Sequence, residues 1–195
     1  MTISSAKTVI VGETQVGKTT LAIRAFLHNY DQTLKPRPTL GSEYFEGIIQ
    51  INDEGDSVKF EVWDTAGQEA YRSISPLFFQ DSAIALLVFD VTRPDTIKSL
   101  DYYADILHER EPGCFIAVVG NKIDLHSERK ISRDEGEMYT RRIGSSFYIE
   151  TSALTGEGVQ ELFFSLAQQN LTFSKHETIH VGNKTETNEK GSKCC

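Results

Sequence analysis

The stretch GETQVGKT, Gly12 to Thr19, fits the pattern G-x-x-x-x-G-K-[ST] and directly follows a strand-like run, Lys7 to Val11. A loop of this composition binds phosphate. Its glycines let backbone N–H groups close on an anion, Lys18 supplies a point charge, and the Thr19 hydroxyl suits Mg²⁺. Glu13, Thr14, Gln15, Val16, Gly17, Lys18, Thr19 and Thr20 are therefore the expected phosphate-binding residues. Thr20 to Phe26 (TLAIRAF) supplies a helix behind the loop, whose N-terminal dipole also favours an anion. The expected ligand is a nucleotide, and the loops further along the chain bear on which one.

In Trp63 to Ile74 (WDTAGQEAYRSI) an apolar strand ends abruptly in an acid and a glycine. Asp64 is placed to hold Mg²⁺ through a water, Gly67 can bring an N–H close to a γ-phosphate, and Gln68 has both the donor and the acceptor needed to orient a water. The bland alternative is a polar turn in which Asp64 only caps a helix. Further on, Gly120-Asn121-Lys122-Ile123-Asp124 follows another strand-like run. Guanine offers N1–H and an N2 amino group side by side, so one carboxylate at Asp124 can accept both. Adenine presents an unprotonated N1 there and would be repelled. Asn121 would tie neighbouring loops together, and the stem of Lys122 would cover the base. A last loop, Thr151 to Gly156, contains Ser152, Ala153 and Leu154; either it brings the Ala153 N–H to the guanine O6 or it is simply a turn.

These loops need a scaffold that brings them to one edge. Strand-like runs occur at Lys7–Val11, Phe45–Ile51, Ser57–Trp63, Ala83–Phe89, Phe115–Val119 and Ser146–Ile149. The second and third are joined by Asn52-Asp53-Glu54-Gly55-Asp56, short enough for an antiparallel hairpin. The others alternate with helical stretches at Lys18–His28, Tyr71–Gln80, Pro94–Arg110, Ser132–Arg142 and Gly158–Leu171. The expected fold is α/β: a six-stranded, mostly parallel sheet with one antiparallel strand and about five helices on both faces. In such sheets ligands lie beyond the carboxyl ends of the strands, where every loop named above begins.

With 195 residues, 39% hydrophobic and 25% charged, the chain reads as one globular domain. A net charge of −8 argues against a nucleic-acid partner, which calls for a basic face. Cys114, Cys194 and Cys195 resemble neither a disulfide framework nor a zinc site, so cytosolic chemistry is expected. No secretory signal is evident and no segment approaches the ~20 apolar residues of a membrane span.

These loops, in this order and spacing, resemble the small GTPases of the Ras superfamily from Lys7 to about Asn170, and the Rab branch most closely. The Rab-like wording is KFEVWDTAGQE (Lys59 to Glu69), AYRSI (Ala70 to Ile74), LLVFDVT (Leu86 to Thr92) and the terminal Cys194-Cys195. The resemblance implies a GTP/GDP switch with Mg²⁺, working in vesicle traffic on the cytoplasmic face of membranes. It implies Thr39 as a Mg²⁺ ligand beside Thr19 and Asp64, Tyr30 as an aromatic cover of the base, and Gln68 as the catalytic residue. The segments around them would be two switches read by an exchange factor, an activating protein, a GDP-dissociation inhibitor and effectors. Tyr44, Trp63 and Phe78 match the aromatic cluster of Rab effector surfaces, with core packing as the alternative.

The chain departs from the family's pattern in four places. Tyr30 to Thr39 is two residues longer than usual, with Pro36 and Pro38; Thr14 and Gln15 stand where small residues are common; Ala70 replaces a long or charged residue; Leu154 replaces a lysine. Crowding by Thr14 or Gln15 would slow hydrolysis.

The composition changes at Thr172, so residues 1–171 are expected to form the GTP-binding domain and 172–195 a flexible tail. Cys194 and Cys195 do not fit C-a-a-X and resemble the Rab double-prenylation site, which implies prenylation machinery as a partner; two lipid chains anchor stably where one is marginal. Turnover of ~10⁻⁴ to 10⁻³ s⁻¹ is expected, because no arginine in cis is evident, with ~10⁵-fold acceleration by an activating partner. The rival readings are a GTP-binding module that barely hydrolyses and a phosphoryl-transferring kinase, for which no basic acceptor lid is found.

Overall fold

The computed structural model describes residues 2–27, 39, 42–65 and 78–169. Six strands form one sheet: β1 (Ile3–Val11), β2 (Ser42–Gln50), β3 (Ser57–Thr65), β4 (Ile84–Asp90), β5 (Phe115–Asn121) and β6 (Phe147–Thr151). Their order is β2-β3-β1-β4-β5-β6; only β2, on β3, is antiparallel. The described helices are α1 (Lys18–Phe26), α2 (Pro94–Lys98), α3 (Leu100–Arg110), α4 (Arg133–Arg142) and α5 (Val159–Ala167), with a short 3₁₀ turn at His126–Glu128. The fold is the expected one.

The central strands are apolar throughout because both faces are covered. β4 is buried along its whole length. Ile10, Leu86 and Val119 pack on one face with Leu21 of α1 and Leu162 and Phe163 of α5. Val11, Leu87 and Val118 pack on the other with Leu100 and Leu107 of α3 and Tyr139 of α4. The edge strand β2 alternates between half-buried and exposed residues, as a strand covered on one face should.

Local chemistry sets the joints. The β2–β3 hairpin closes with Ile51 N–H donating to Asp56 O at 2.8 Å, while Asn52 Oδ1 accepts from Asp56 N–H at 3.0 Å. Helix α4 starts at Ser132, whose hydroxyl accepts from Glu135 N–H while the Glu135 carboxylate accepts from Ser132 N–H.

Most strand and helix ends shift by one to three residues from the expected ones, and three of the departures have a local cause. β1 begins at Ile3, because Ile3 to Ala6 pair with Ser57 to Phe60; the run ISSA, half of it serine, carries no strand-like apolar pattern. The single helix expected over Pro94–Arg110 is divided at Ser99, whose hydroxyl donates to Thr96 O at 2.9 Å and competes with the helical pattern. Gly158 is the N-cap of α5, at φ 71, rather than its first turn. Of the helix expected over Tyr71–Gln80, only residues 78–80 lie among the described ones, and Phe78 and Phe79 are helical.

Candidate nucleotide site

The loop between β1 and α1 bends through positive φ at Gly12 (143°), Gln15 (63°) and Gly17 (99°). A Cβ at Gly12 would drive into the Val88 carbonyl, and one at Gly17 into the Asn121 side-chain nitrogen, so space and backbone both demand glycine there. The loop's carbonyls are claimed by side-chain donors. Lys18 Nζ donates to Gly12 O and Glu13 O, each at 3.0 Å, Arg93 donates to Thr14 O at 2.9 Å, and Asn121 Nδ2 donates to Val16 O at 2.8 Å. Among the described residues no peptide is cis, so each following N–H, of Glu13, Thr14, Gln15 and Gly17, lies on the opposite side of its peptide from that donor. Such turned-back N–H groups are the raw material of an anion nest.

Beside the loop, three oxygens meet. Thr19 Oγ1 lies 2.7 Å from Thr39 Oγ1 and donates to Asp64 Oδ2, which also accepts from Thr39 at 3.3 Å. β3 ends its apolar register by burying Asp64, whose second oxygen, Oδ1, is buried with no hydrogen-bond partner among the described residues. Burial pushes the Asp64 carboxyl up to about 6 and the Lys18 ammonium down to about 8, the attraction between them only partly offsetting the loss of water.

At the other end, Asn121 closes three segments together. Beyond its bond to Val16, its Oδ1 accepts from Thr151 Oγ1 at 3.1 Å and from Ala153 N–H at 3.0 Å. Lys122 takes a left-handed backbone (φ 70) and pairs with Asp90 Oδ2 at 2.7 Å. Asp124 Oδ1 accepts from the Ser152 hydroxyl at 2.6 Å, and Ser152 Oγ in turn accepts from Thr155 N–H at 3.0 Å. Leu154 is exposed. The Ala153 N–H, which the sequence directs at a base, is here given to Asn121.

Residues 7–172 match the Ras family. Ras-related protein Rab-17 of Mus musculus is 38% identical over 168 residues, spanning 85% of this chain and 76% of that protein. RABF2a of Arabidopsis thaliana is 34% identical over 166 residues, spanning 85% and 80%. Rab-31 of Rattus norvegicus is 31% identical over 201 positions, spanning the whole of both chains. The chain belongs to the Ras family, in its Rab branch.

As a Rab GTPase the protein binds GTP and GDP with Mg²⁺ and hydrolyses GTP, a switch of vesicle traffic that works with regulators and effectors. The corner at Thr19, Thr39 and Asp64 fits that ion: all its donors are hard oxygens, and one buried carboxylate oxygen is unmatched. Among the described residues no cluster of three His, Cys, Asp or Glu side chains is placed to hold a metal. A corner with a single carboxylate suits Mg²⁺, which keeps waters and phosphate oxygens in its shell.

Tyr30, Gly67, Gln68, Ala70, Cys194, Cys195, the lengthened segment before Thr39 and the tail from Thr172 lie outside the described residues. Tyr44, Trp63 and Phe78 do come together on the face of β2 and β3, with ring centroids 5.3 Å apart for the first pair and 6.2 Å for the second; Tyr44 is exposed. Two participants escaped the sequence reading. Asp90 ends β4 and anchors Lys122, and Arg93 reaches the phosphate loop from 79 residues away. The only signal for either was the polar DVTR following an apolar strand.

Proposed function

We propose that Glu13 to Thr20 cradle the phosphates of GTP, that Lys18 faces the β- and γ-phosphates, and that Thr19, Thr39 and Asp64 hold Mg²⁺. When bound, the ion neutralises phosphate charge that builds in the transition state. Asn121 braces the base pocket, Asp124 accepts from guanine N1–H and N2, the stem of Lys122 covers one side of the base, and Ser152, Ala153 and Leu154 border it. Gly67 faces the γ-phosphate and Gln68 orients the attacking water, with Tyr30 lying over the base. Residues 1–171 make up the GTP-binding domain. The tail, 172–195, carries prenyl groups on Cys194 and Cys195 and tethers the domain to the cytoplasmic face of intracellular membranes, cycling with the cytosol. Among the described residues no helix is long and apolar enough to cross a membrane. Exchange factor, activating protein, GDP-dissociation inhibitor and effectors meet the segments around Thr39 and Gln68 and the Tyr44–Trp63–Phe78 cluster.

The observation that carries this reading is the meeting of Thr19, Thr39 and Asp64 around an unmatched buried carboxylate oxygen. GDP release should be accelerated by EDTA in the wild type and by Asp64→Asn in Mg²⁺, and EDTA should add little to the variant. Equal acceleration of both proteins by EDTA would remove Asp64 from the metal shell.

A further inference from the structure

Arg93 follows β4 and stands at the start of α2, yet its guanidinium is turned back to the phosphate loop. It donates to Thr14 O at 2.9 Å, and its Nε lies 3.5 Å from Asp90 Oδ2. Asp90 is almost wholly buried and gathers Lys122 Nζ at 2.7 Å, Thr92 N–H at 2.9 Å and Thr92 Oγ1 at 2.7 Å, besides Arg93. Burial acts to raise its carboxyl, but Lys122 and Thr92 outweigh this and hold it below the usual carboxylate range. A buried, ionised acid of this kind is a fixed point. From it one arm, Lys122, runs to the loop that ends in Asp124, and the other, Arg93, runs to the phosphate loop.

Thr14 and Gln15 are the exposed crest of that loop, and Gln15 is held at φ 63, a region costly for a residue with a Cβ. The flanking carbonyls of Gly12, Glu13 and Val16 are fixed by Lys18 and Asn121, which belong to the two nucleotide-binding motifs. Thr14 O is fixed by Arg93, which does not. Because the Thr14–Gln15 peptide is trans, the bond that pulls Thr14 O outward turns the Gln15 N–H the opposite way.

We propose that Arg93, anchored on Asp90, is a positioning residue that sets the Gln15 N–H toward the phosphates and so governs how long nucleotide is retained. This rests on the phosphate and base assignments given above. It makes Arg93 a brace for the loop, in contrast to an arginine that reaches the reacting phosphate.

The test is the release rate of GDP and of inosine diphosphate, which lacks the N2 amino group, from full-length wild type, Arg93→Ala and Arg93→Lys. Loss of one charge-assisted bond should make Arg93→Ala release GDP about tenfold faster. Inosine diphosphate should be accelerated by the same factor, because the defect lies at the phosphates and both ligands share them. Arg93→Lys, which keeps the charge but lacks the planar fork, should fall between the two. GDP release from Arg93→Ala within twofold of wild type overturns the proposal. So does a changed ratio of GDP to inosine diphosphate, which would place the effect at the base. The assignments beneath it fail separately: a wild type that releases both ligands alike would remove Asp124 from base recognition whatever Arg93 does.

Discussion

Among the described residues, Asp124 is steadied by a hydroxyl and not by a cation. Ser152 donates to one carboxylate oxygen while its own oxygen accepts from Thr155 N–H, so the acid is oriented without having its charge cancelled. That leaves it free to act as a double acceptor. Asp124→Ala should weaken GDP binding at least 100-fold, since two charge-assisted bonds at about 1.5–3 kcal/mol each are at stake. Ser152→Ala should weaken it about three- to tenfold, because it removes a support worth about 1 kcal/mol. Competition against a fluorescent guanine nucleotide measures both, and a larger effect for the serine than for the acid would reverse the roles. Motif chemistry singled out Lys18, Thr19, Asp64, Asn121 and Asp124 as candidates in the sequence, because the spacing of those strings suits a fixed ligand, and the structure gathers them at one edge of the sheet. Arg93 and Asp90 were illegible for the converse reason: their partners are chosen by the packing of β4 against β1 and β5, and an arginine's reach has no signature in its neighbours.

Elements fell where hydrophobic patterning was strong and drifted where side-chain hydrogen bonding took over. β4 and β5 announce themselves as unbroken apolar runs, whereas the extension of β1 through Ser4 and Ser5 exists only because β3 lies alongside. The division at Ser99 likewise depends on where one hydroxyl points. A further joint is the ion pair that fastens the segment before α4 to β6. Arg129 grips Glu150 with both guanidinium nitrogens, at 2.8 and 3.0 Å, and Tyr148 OH adds a third donor at 3.0 Å. Burial would raise the Glu150 carboxyl, but these partners prevail and lower it. A carboxyl lowered on folding stabilises above its unfolded pKa of about 4.3, and that contribution is lost as pH falls through the folded value. Glu150→Gln should therefore cost about 2 kcal/mol at neutral pH, read as a melting temperature roughly 4–8 °C lower. The gap from wild type should close below about pH 4; a gap that persists in acid would mean that packing and not charge is responsible.

At the scale of the whole molecule, one sheet brings the carboxyl ends of β1, β3, β5 and β6 to one edge, and the Asn121 side chain, on β5, bonds to the loop after β1 and to the segment that closes β6. A ligand that engages all of them must stabilise the domain as a unit. At a thousandfold excess over its Kd, GDP with Mg²⁺ should add about 4 kcal/mol, or roughly 8–16 °C in melting temperature, and Asp124→Ala should abolish most of that gain. Thermal unfolding with and without GDP measures it, and a gain that survives in the variant would place the stabilising contacts elsewhere. The same edge carries an optical property of its own. Trp63 is the only tryptophan in the chain, one residue before Asp64, against the rings of Tyr44 and Phe78 and with the Lys7 ammonium 6.0 Å from its ring centre. Emission excited at the red edge of the indole band therefore originates from a single place, next to the Thr19–Thr39–Asp64 corner proposed for Mg²⁺ and against the aromatic cluster proposed to meet partners. On those assignments, the unlabelled protein carries a built-in fluorophore that should report nucleotide exchange and partner docking in real time.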